Sequence, residues 1–307
     1  MSGKAIVFAG QGAQFVGMGK DLAGAYPECK ELFDRADEVL GYKLSDICFA
    51  GPESELTKTN HCQPAIFVVS MACYKALCLE AGGAPEVVGA AGLSLGEWTA
   101  LHMAGSLGFE DTVRILASRG EFMQDACDER EGSMVSVIGL ADELVAEVCE
   151  KAGVEVSNLN SVGQTVLSGE KAAIEEAAKL AGEAGAKKTI VLKVAGAYHS
   201  SLMSSAAERL SEVLGGVEFC DPSVPVLANA TGMPHGGAAA IGSNMIKQVT
   251  ETVKWVSCIE WFKANGVNEY VECGPGRVLS GLIRRIDKSA EVCNIQDVES
   301  LKRCVSE

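Results

Sequence analysis

The chain has 307 residues, enough for one large domain carrying a smaller insert, and its 48% hydrophobic and 22% charged residues are typical of a folded protein rather than a disordered one. The 26 basic and 41 acidic residues give a formal net charge of −15, which argues against a protein that binds nucleic acid by neutralising phosphates. The longest apolar run, 65–74, is too short to cross a bilayer, so no membrane span is predicted.

The first part of the chain alternates short apolar runs with helical patterns. A buried helix is predicted to begin near Pro64, because proline is well tolerated in a first helical turn, and to end at Gly82 and Gly83. The other predictions before residue 130 are a strand at 4–9, a glycine-rich loop at 10–19, helices up to about residue 40, a strand at 87–91, and helices at 96–104 and 110–126.

Residues 131–194 differ from their surroundings, because strand and helix patterns follow one another there in the order β-α-β-β-α-β. The predicted elements are a strand at 134–140, a helix at 142–151, strands at 154–158 and 165–168, a helix at 171–184 and a strand at 189–194. That order is typical of a ferredoxin-like unit. We therefore expect a small ferredoxin-like domain at 131–194.

After the insert, alternation of helices and strands resumes. A helix is predicted up to about residue 214, then helices near 244–248 and 258–265, a strand at 269–272 and a helix at 278–286. Strands alternating with helices favour an α/β core with a mainly parallel sheet. The large domain is expected to comprise residues 1–130 and 195–307.

The twelve cysteines show no metal-binding spacing, since the closest pair, Cys73 and Cys78, is five residues apart. No signal peptide precedes the first predicted strand, so a secreted disulfide framework is not expected. We interpret the cysteines as small buried hydrophobic residues in a reducing compartment. Neither a metal nor an organic cofactor is predicted.

The most informative motif is Gly92-x-Ser94-x-Gly96, between a predicted strand and a predicted helix. This is the pattern of a nucleophile elbow, a tight turn that exposes the serine hydroxyl at the end of a sheet. Small residues are needed on both sides because the strand and helix backbones approach closely there. A turn that merely contains a serine is the alternative interpretation.

A nucleophilic serine needs a base, and the chain has four histidines. His102 lies eight residues after Ser94 on the same predicted helix, about 12 Å along its axis, so it cannot reach the hydroxyl. His235 is expected in a solvated turn, and His61 is expected to cap the buried helix. His199 follows a strand and precedes a helix, where active sites gather, so it is the predicted base; a buried structural histidine is the alternative.

Two further features are weaker. The loop Gly10-Gln11-Gly12 does not fit a dinucleotide or phosphate fingerprint, but it can point backbone N–H groups into a site as part of an oxyanion hole. Arg119, inside a predicted helix, either pairs with Glu121 or Asp125 on the surface or is a buried guanidinium that binds a substrate carboxylate.

Taken in order, these residues carry a family resemblance. The segments are FAGQGAQ at 8–14, GLSLGEW at 92–98, Arg119-Gly120 with Met123, GAYHS at 196–200, Gln248, and ECGPGRVLSGLIRRI at 272–286. Together they resemble the malonyl-CoA:acyl-carrier-protein transacylases of dissociated fatty-acid synthesis, over essentially the whole chain. The resemblance implies an α/β-hydrolase-like large domain with a ferredoxin-like insert, and malonyl-CoA and acyl carrier protein as partners.

The resemblance also implies the roles of individual residues. Ser94 would carry the malonyl group as an ester, and His199 would move the proton, oriented by a backbone carbonyl near Gln248 rather than by an acid. The N–H groups of Gln11 and Leu95 would form the oxyanion hole, and Arg119 would bind the malonyl carboxylate. The residues implied to line the substrate cleft are Met123, Asn160 and Tyr198. Tyr198 should also restrict room at the acyl α-carbon.

The sequence departs from the family pattern at Ala9, Ala13, Leu93, Trp98 and Tyr198. Leu93 stands where histidine commonly precedes the serine, so any part played by that histidine must be absent or replaced. The leucine form resembles plant and algal members, which predicts a chloroplast stroma or mitochondrial matrix protein without its transit peptide, with a cytoplasmic protein as the alternative.

Because acyl carrier protein is acidic in this pathway and the chain is itself acidic, a local basic patch is expected at the mouth of the cleft. The candidates are Arg277, Arg284 and Arg285, with Lys187 and Lys188; ordinary solvated charge is the alternative. The protein is expected to act as a monomer. A serine esterase or thioesterase and an inactive acyl-CoA-binding scaffold are the competing functions.

Overall fold

The computed structural model describes residues 3–306. Its strands are β1 (Gly3–Phe8), β2 (Gly89–Gly92), β3 (Gly132–Ile138), β4 (Glu155–Ser161), β5 (Gln164–Glu170), β6 (Lys188–Val191), β7 (Leu227–Ala228), β8 (Met233–Pro234), β9 (Val267–Cys273) and β10 (Glu291–Ile295). Its helices are α1 (Lys20–Ala25), α2 (Pro27–Leu40), α3 (Leu44–Ala50), α4 (Glu53–Leu56), α5 (Thr59–Glu80), α6 (Leu95–Met103), α7 (Phe109–Glu129), α8 (Asp142–Ala152), α9 (Lys171–Glu183), α10 (Ser204–Leu214), α11 (Ala238–Thr250), α12 (Trp255–Ala264), α13 (Val278–Ile286) and α14 (Val298–Ser306), with a 3-10 turn at Ser201–Met203.

The central sheet is parallel, with strand order β10-β9-β1-β2. Helices cover both of its faces, so β1 is a continuous apolar run rather than an alternating one. Ile6 and Phe8 of β1 pack into the larger core, which α5 and α7 also supply. Ala5 and Val7 point the other way, into a second core built with α12 and α13. The α/β architecture with a parallel sheet is therefore confirmed.

A second, antiparallel sheet with order β4-β5-β3-β6 is formed by the strands between residues 132 and 191. Helices α8 and α9 pack on it around a separate core that includes Val135, Leu167 and Ile174. The element order β-α-β-β-α-β is the one that the sequence predicts. The sheet is joined to the rest of the chain by backbone hydrogen bonds between β4 and Val253, which follows α11.

The long apolar helix α5 differs from its prediction. It begins at Thr59, so Pro64 lies inside the helix rather than in its first turn. The missing proline N–H removes one hydrogen bond, which a long helix buried along most of its length can tolerate. By length and composition α5 could also cross a bilayer, but 78% of its most apolar window is buried inside the protein.

The C-terminal segment also differs from expectation. Strand β10 and helix α14 were not predicted, and a disulfide joins Cys293 on β10 to Cys304 on α14. The expectation that all cysteines are unpaired and buried is therefore wrong for this pair, and Cys220 is exposed. The reason is tertiary: pairing of β10 with β9 and packing of α14 on β10 bring the two Cα atoms to 5.8 Å, within the range of a disulfide.

Candidate active site

Ser94 lies in the tight turn between β2 and α6, at the carboxyl end of the parallel sheet. Its φ of 53° is in the left-handed region, which is costly for a residue with a side chain and is found mainly at functional sites. The flanking glycines are required by contact: a Cβ on Gly92 would lie 2.0 Å from the carbonyl carbon of Gly96, and one on Gly96 would lie 2.4 Å from the oxygen of Phe8. The turn therefore has the geometry of a nucleophile elbow.

The structure brings His199 to Ser94 across 105 residues of sequence. Nε2 of His199 lies 2.9 Å from Ser94 Oγ, and Nδ1 lies 2.7 Å from the backbone oxygen of Gln248. Since that carbonyl can only accept, Nδ1 carries the proton and Nε2 is free to accept the serine proton. Burial lowers the pKa of His199 to about 4, and the positive charge of Arg119 contributes to the same shift.

Arg119 is buried beside the serine. Its NH1 donates to Gln63 Oε1 at 2.7 Å, and its NH2 donates to Ser94 Oγ and to Gln248 Oε1, both at 3.1 Å. Burial lowers its pKa to about 10, so the guanidinium stays charged at neutral pH. The alternative of a surface pair with Glu121 or Asp125 is wrong, because the side chain is 1% exposed.

Three residues that sequence reasoning missed hold this centre together. Asn229 Oδ1 accepts from the N–H of Ser94 at 2.7 Å, while Gln63 supports Arg119. Glu97, completely buried on α6, accepts from Gln248 Nε2 at 2.6 Å and from the N–H of Asn229 at 3.0 Å. Only Glu97 has a signal in the sequence, as the one acidic side chain of the mainly apolar helix that follows the elbow.

Two backbone N–H groups are candidates for an oxyanion hole, one directly after Ser94 and one in a loop that lines the same cleft. Leu95 is the first residue of α6, and Gln11 is in the loop after β1. Within residues 3–306 neither backbone N–H has a protein acceptor. Two such N–H groups beside a serine can bind an oxyanion.

The site opens into a cleft of about 610 Å³ between the two sheets. Gln11, Met123, Asn160 and Tyr198, all singled out from the sequence, line it. The Tyr198 hydroxyl lies 3.1 Å from Thr59 Oγ1, and burial raises its pKa to about 12. Asn160 Oδ1 is buried at the wall of this cleft and has no hydrogen-bond partner within residues 3–306.

The other histidines lie outside the Ser94–His199 pair. His61 and His102 bond to the backbone oxygens of Glu55 and Leu107. The prediction that His235 is solvated is wrong: its side chain is completely buried, with Nε2 2.8 Å from Glu97 Oε1. A glycine-rich, polar stretch indicates an exposed turn, but the buried carboxylate supplies a polar partner inside the protein.

The predicted surface arginines are exposed, on or beside α13. Arg277 and Arg284 line one groove of about 400 Å³, and Arg277 precedes Val278, which lines the active-site cleft. Arg285 instead donates to Gln164 on β5. Lys187 and Lys188 are exposed at the start of β6. The structure thus places two of the three arginines together.

Across residues 3–306 there is no group of three or more His, Cys, Asp and Glu side chains that could hold a metal ion. The constellation is instead the one that acyl transfer through a serine uses: a hydroxyl on an elbow, an oriented imidazole and free N–H groups beside them. The fold and the site therefore define an α/β protein of the acyl-transfer class.

Residues 5–300 match the acyl transferase domain family. The chain is 40% identical over 310 residues to the malonyl CoA-acyl carrier protein transacylase of Bacillus subtilis, covering 99% of this chain and 97% of that one. The solved enzyme of the same name from Coxiella burnetii is 36% identical with a TM-score of 0.95, covering 99% and 97% of the two chains. A malonyl-transacylase solved in complex with a type II PKS acyl-carrier protein is 38% identical, with a TM-score of 0.95 and 99% coverage of both chains. The chain belongs to the malonyl CoA-acyl carrier protein transacylase family and is an acyltransferase.

Proposed function

We propose that this enzyme moves the malonyl group from malonyl-CoA to the phosphopantetheine thiol of acyl carrier protein, by a ping-pong mechanism through a malonyl ester on Ser94. The observation that carries the proposal is the position of Ser94 Oγ, 2.9 Å from His199 Nε2 and 3.1 Å from Arg119 NH2. A base and a carboxylate-binding cation thus meet at one hydroxyl.

In the first half-reaction, Ser94 Oγ attacks the thioester carbonyl while His199 Nε2 takes the hydroxyl proton. The N–H groups of Gln11 and Leu95 stabilise the negative oxygen of the tetrahedral intermediate. Collapse breaks the C–S bond, His199 returns the proton to the sulfur, and CoA leaves as a thiol. In the second half-reaction the carrier-protein thiol attacks the ester, and the same steps in reverse restore Ser94.

Arg119 selects the acyl group in this proposal. One N–H of NH1 and the NH2 donor now on Ser94 Oγ are the pair that would face a malonyl carboxylate and bind it at both oxygens. An acetyl group would leave this buried cation without an anion, and a polar site left unpaired discriminates strongly between substrates. Because the charge of Arg119 also lowers the pKa of His199, binding the carboxylate should make the imidazole a stronger base.

The rest of the cleft favours transfer over hydrolysis. Tyr198, nearly buried beside the base, limits the room at the α-carbon, which disfavours a methylmalonyl group. Burial of Ser94's partners shields the ester from water. A serine esterase or thioesterase would share the elbow and the imidazole, but it has no use for a buried arginine beside the hydroxyl.

Several finer features are part of the same proposal. We infer an α/β-hydrolase-like large domain at 1–130 and 195–307, and a ferredoxin-like domain at 131–194 that forms the opposite wall of the cleft. Arg277, Arg284 and Arg285 are proposed to receive acyl carrier protein. A monomer that needs no cofactor, and a location in the chloroplast stroma or mitochondrial matrix, stay predictions.

Intact-protein mass spectrometry tests the mechanism. With malonyl-CoA the enzyme should gain the mass of one malonyl group, holo acyl carrier protein should remove it, and Ser94→Ala should gain nothing. Rapid consumption of malonyl-CoA without an adduct would indicate a hydrolase. No reaction at all would indicate a binding protein, and either result would reject the ping-pong transfer.

A further inference from the structure

Behind the nucleophile lies a buried acid–imidazole pair that the mechanism above does not use. Glu97 and His235 both have fully buried side chains, and Glu97 Oε1 lies 2.8 Å from His235 Nε2. Asn244 Nδ2 lies 3.2 Å from His235 Nδ1 and can donate to it. That contact occupies Nδ1 and leaves Nε2 as the ring nitrogen next to the carboxylate, at ion-pair distance but, within residues 3–306, without the alignment of a hydrogen bond. A carboxylate is costly to bury without partners, so its position in this enzyme calls for a role.

The other oxygen of Glu97 holds two residues of the active site. Oε2 accepts from Gln248 Nε2 at 2.6 Å and from the N–H of Asn229 at 3.0 Å. Asn229 in turn accepts from the N–H of Ser94 and donates to the oxygen of Gly92 at 2.8 Å, so it clamps both sides of the strained elbow.

Gln248 is the link between Glu97 and the reacting groups. Its Nε2 donates to Glu97 and, at 2.9 Å, to the oxygen of Ser94, while its Oε1 accepts from Arg119. An amide held between an anion and a cation has one favourable orientation, with its nitrogen toward the anion and its oxygen toward the cation. The same residue's backbone oxygen accepts from His199 Nδ1.

We propose that Glu97 is a positioning residue for acyl transfer, and that His235 holds its second oxygen. Glu97 acts through Gln248 and Asn229 to fix three things: the orientation of the His199 ring, the direction of the Arg119 guanidinium and the shape of the Ser94 elbow. Its negative charge also balances Arg119 through one intervening amide. This inference rests on the proposed roles of Ser94 and Arg119.

The test is Glu97→Gln, which keeps the shape of the side chain and removes its charge. Gln248 Nε2 would then meet a group that also carries N–H donors, so the amide chain should reorient. We expect the single-turnover rate of Ser94 malonylation to fall at least tenfold. The ratio of kcat/KM for malonyl-CoA over acetyl-CoA should fall at least fivefold, with an unchanged circular dichroism spectrum and one malonyl group per chain at the end point.

A matched control is Thr99→Val, on the same helix and equally buried, whose Oγ1 has no hydrogen-bond partner in the described part of the chain. It should keep the rate and the ratio of the unmodified enzyme. A Glu97→Gln enzyme with unchanged rate and ratio would overturn the proposal, and so would a rate that falls only in proportion to the folded fraction while the ratio stays constant.

If Glu97→Gln does not fold, His235→Gln decides the question, because it leaves the other two bonds of Glu97 in place. A twofold or larger fall in the malonyl-to-acetyl ratio at full adduct stoichiometry supports the proposal, and an unchanged ratio overturns it. The unmodified enzyme is measured beside both variants. If it forms no malonyl adduct, the proposed function itself fails, which separates that failure from failure of the positioning role.

Discussion

The charged side chains around Ser94, at the floor of the cleft, are buried, whereas those of the arginines on and beside α13, at its proposed mouth, are exposed. At the floor, Arg119 and Glu97 are almost completely buried beside the neutral imidazole of His199, and each of the three is hydrogen-bonded to side chains or backbone in a fixed geometry. At the proposed mouth, Arg277 and Arg284 are exposed and line a groove separate from the cleft itself. Charges interact strongly where water is excluded and weakly where solvent and salt screen them. Changes at the floor should therefore alter the chemistry, and changes at the mouth should alter only encounter with the partner.

The largest effect on the malonylation rate is expected from Gly92→Ala, which distorts the floor of the cleft. The added Cβ would lie 2.1 Å from the oxygen of Gly96, so the elbow must open and move the Ser94 hydroxyl. A displacement of about 1 Å at a reacting group can cost about a hundredfold in rate, and we expect at least that loss in the malonylation rate. The matched control is Gly24→Ala on α1, where a Cβ meets nothing within 4 Å and activity should be retained. A fully active Gly92→Ala enzyme would show that the close approach of strand and helix is not required.

A smaller effect should appear in the pH profile. At pH 5.5 the enzyme should be roughly tenfold more active than one whose catalytic histidine has the ordinary pKa of about 6.5. The free-enzyme pKa of His199 is about 4, so kcat/KM for malonyl-CoA should stay constant from pH 8 down to 5.5 and halve near pH 4. An imidazole with the ordinary pKa of about 6.5 would instead lose roughly 90% of its base form by pH 5.5. A profile with its midpoint near 6.5 would mean that the charge and burial at the floor do not act on His199 as described.

The free energy of unfolding should also depend on pH through His199. Because burial depresses the folded-state pKa of His199, the unfolded chain binds a proton between about pH 6.5 and 4 that the folded chain does not. The contribution of His199 to the free energy of unfolding is therefore complete above pH 6.5. It is lost as the pH falls from 6.5 through 4, and the total loss is on the order of 3 kcal/mol. Urea denaturation at pH 7 and pH 4.5 measures it, with His199→Gln as the control that should lack this part of the pH dependence.

The smallest effect is expected at the mouth. Changing Arg284 and Arg285 together to glutamate should raise KM for acyl carrier protein several-fold and leave KM for malonyl-CoA unchanged. The effect should shrink as salt is added, since exposed charges are screened. Arg114→Glu, an exposed arginine near the start of α7, serves as the control. Equal changes in both KM values would reject a carrier-protein patch at these residues.

The contrast between floor and mouth also explains what the sequence can predict. Ser94 and its elbow are recognisable because the strand, the two glycines and the helix are neighbours in the chain. His199 could be chosen because only four histidines were available and one followed a strand. Gln63 and Asn229 could not be found, because their partners lie on other elements and only the folded chain brings them to Arg119 and Ser94.

The wrong predictions have the same cause. His235 lies in a stretch that is typical of an exposed turn, and only the tertiary position of Glu97 explains its burial. The sequence does not predict strand β10 because it is only five residues long and carries Glu291 and Asn294 among its apolar residues, yet pairing with β9 stabilises it at the edge of the sheet. Helix α14 carries a strongly polar face and packs on β10 and α5, with only Ser300 and Leu301 of its residues buried.

The central claim is that a buried cation beside Ser94 chooses the acyl group. The most direct measurement compares Ser94 acylation by malonyl-CoA and acetyl-CoA in the unmodified enzyme, in Arg119→Met, and in Arg114→Met as the exposed control on the same helix. We predict that Arg119→Met loses at least about a hundredfold in the malonyl-to-acetyl ratio while Arg114→Met loses nothing. An Arg119→Met enzyme that still takes one malonyl group per chain, with its preference for malonyl intact, would contradict the account.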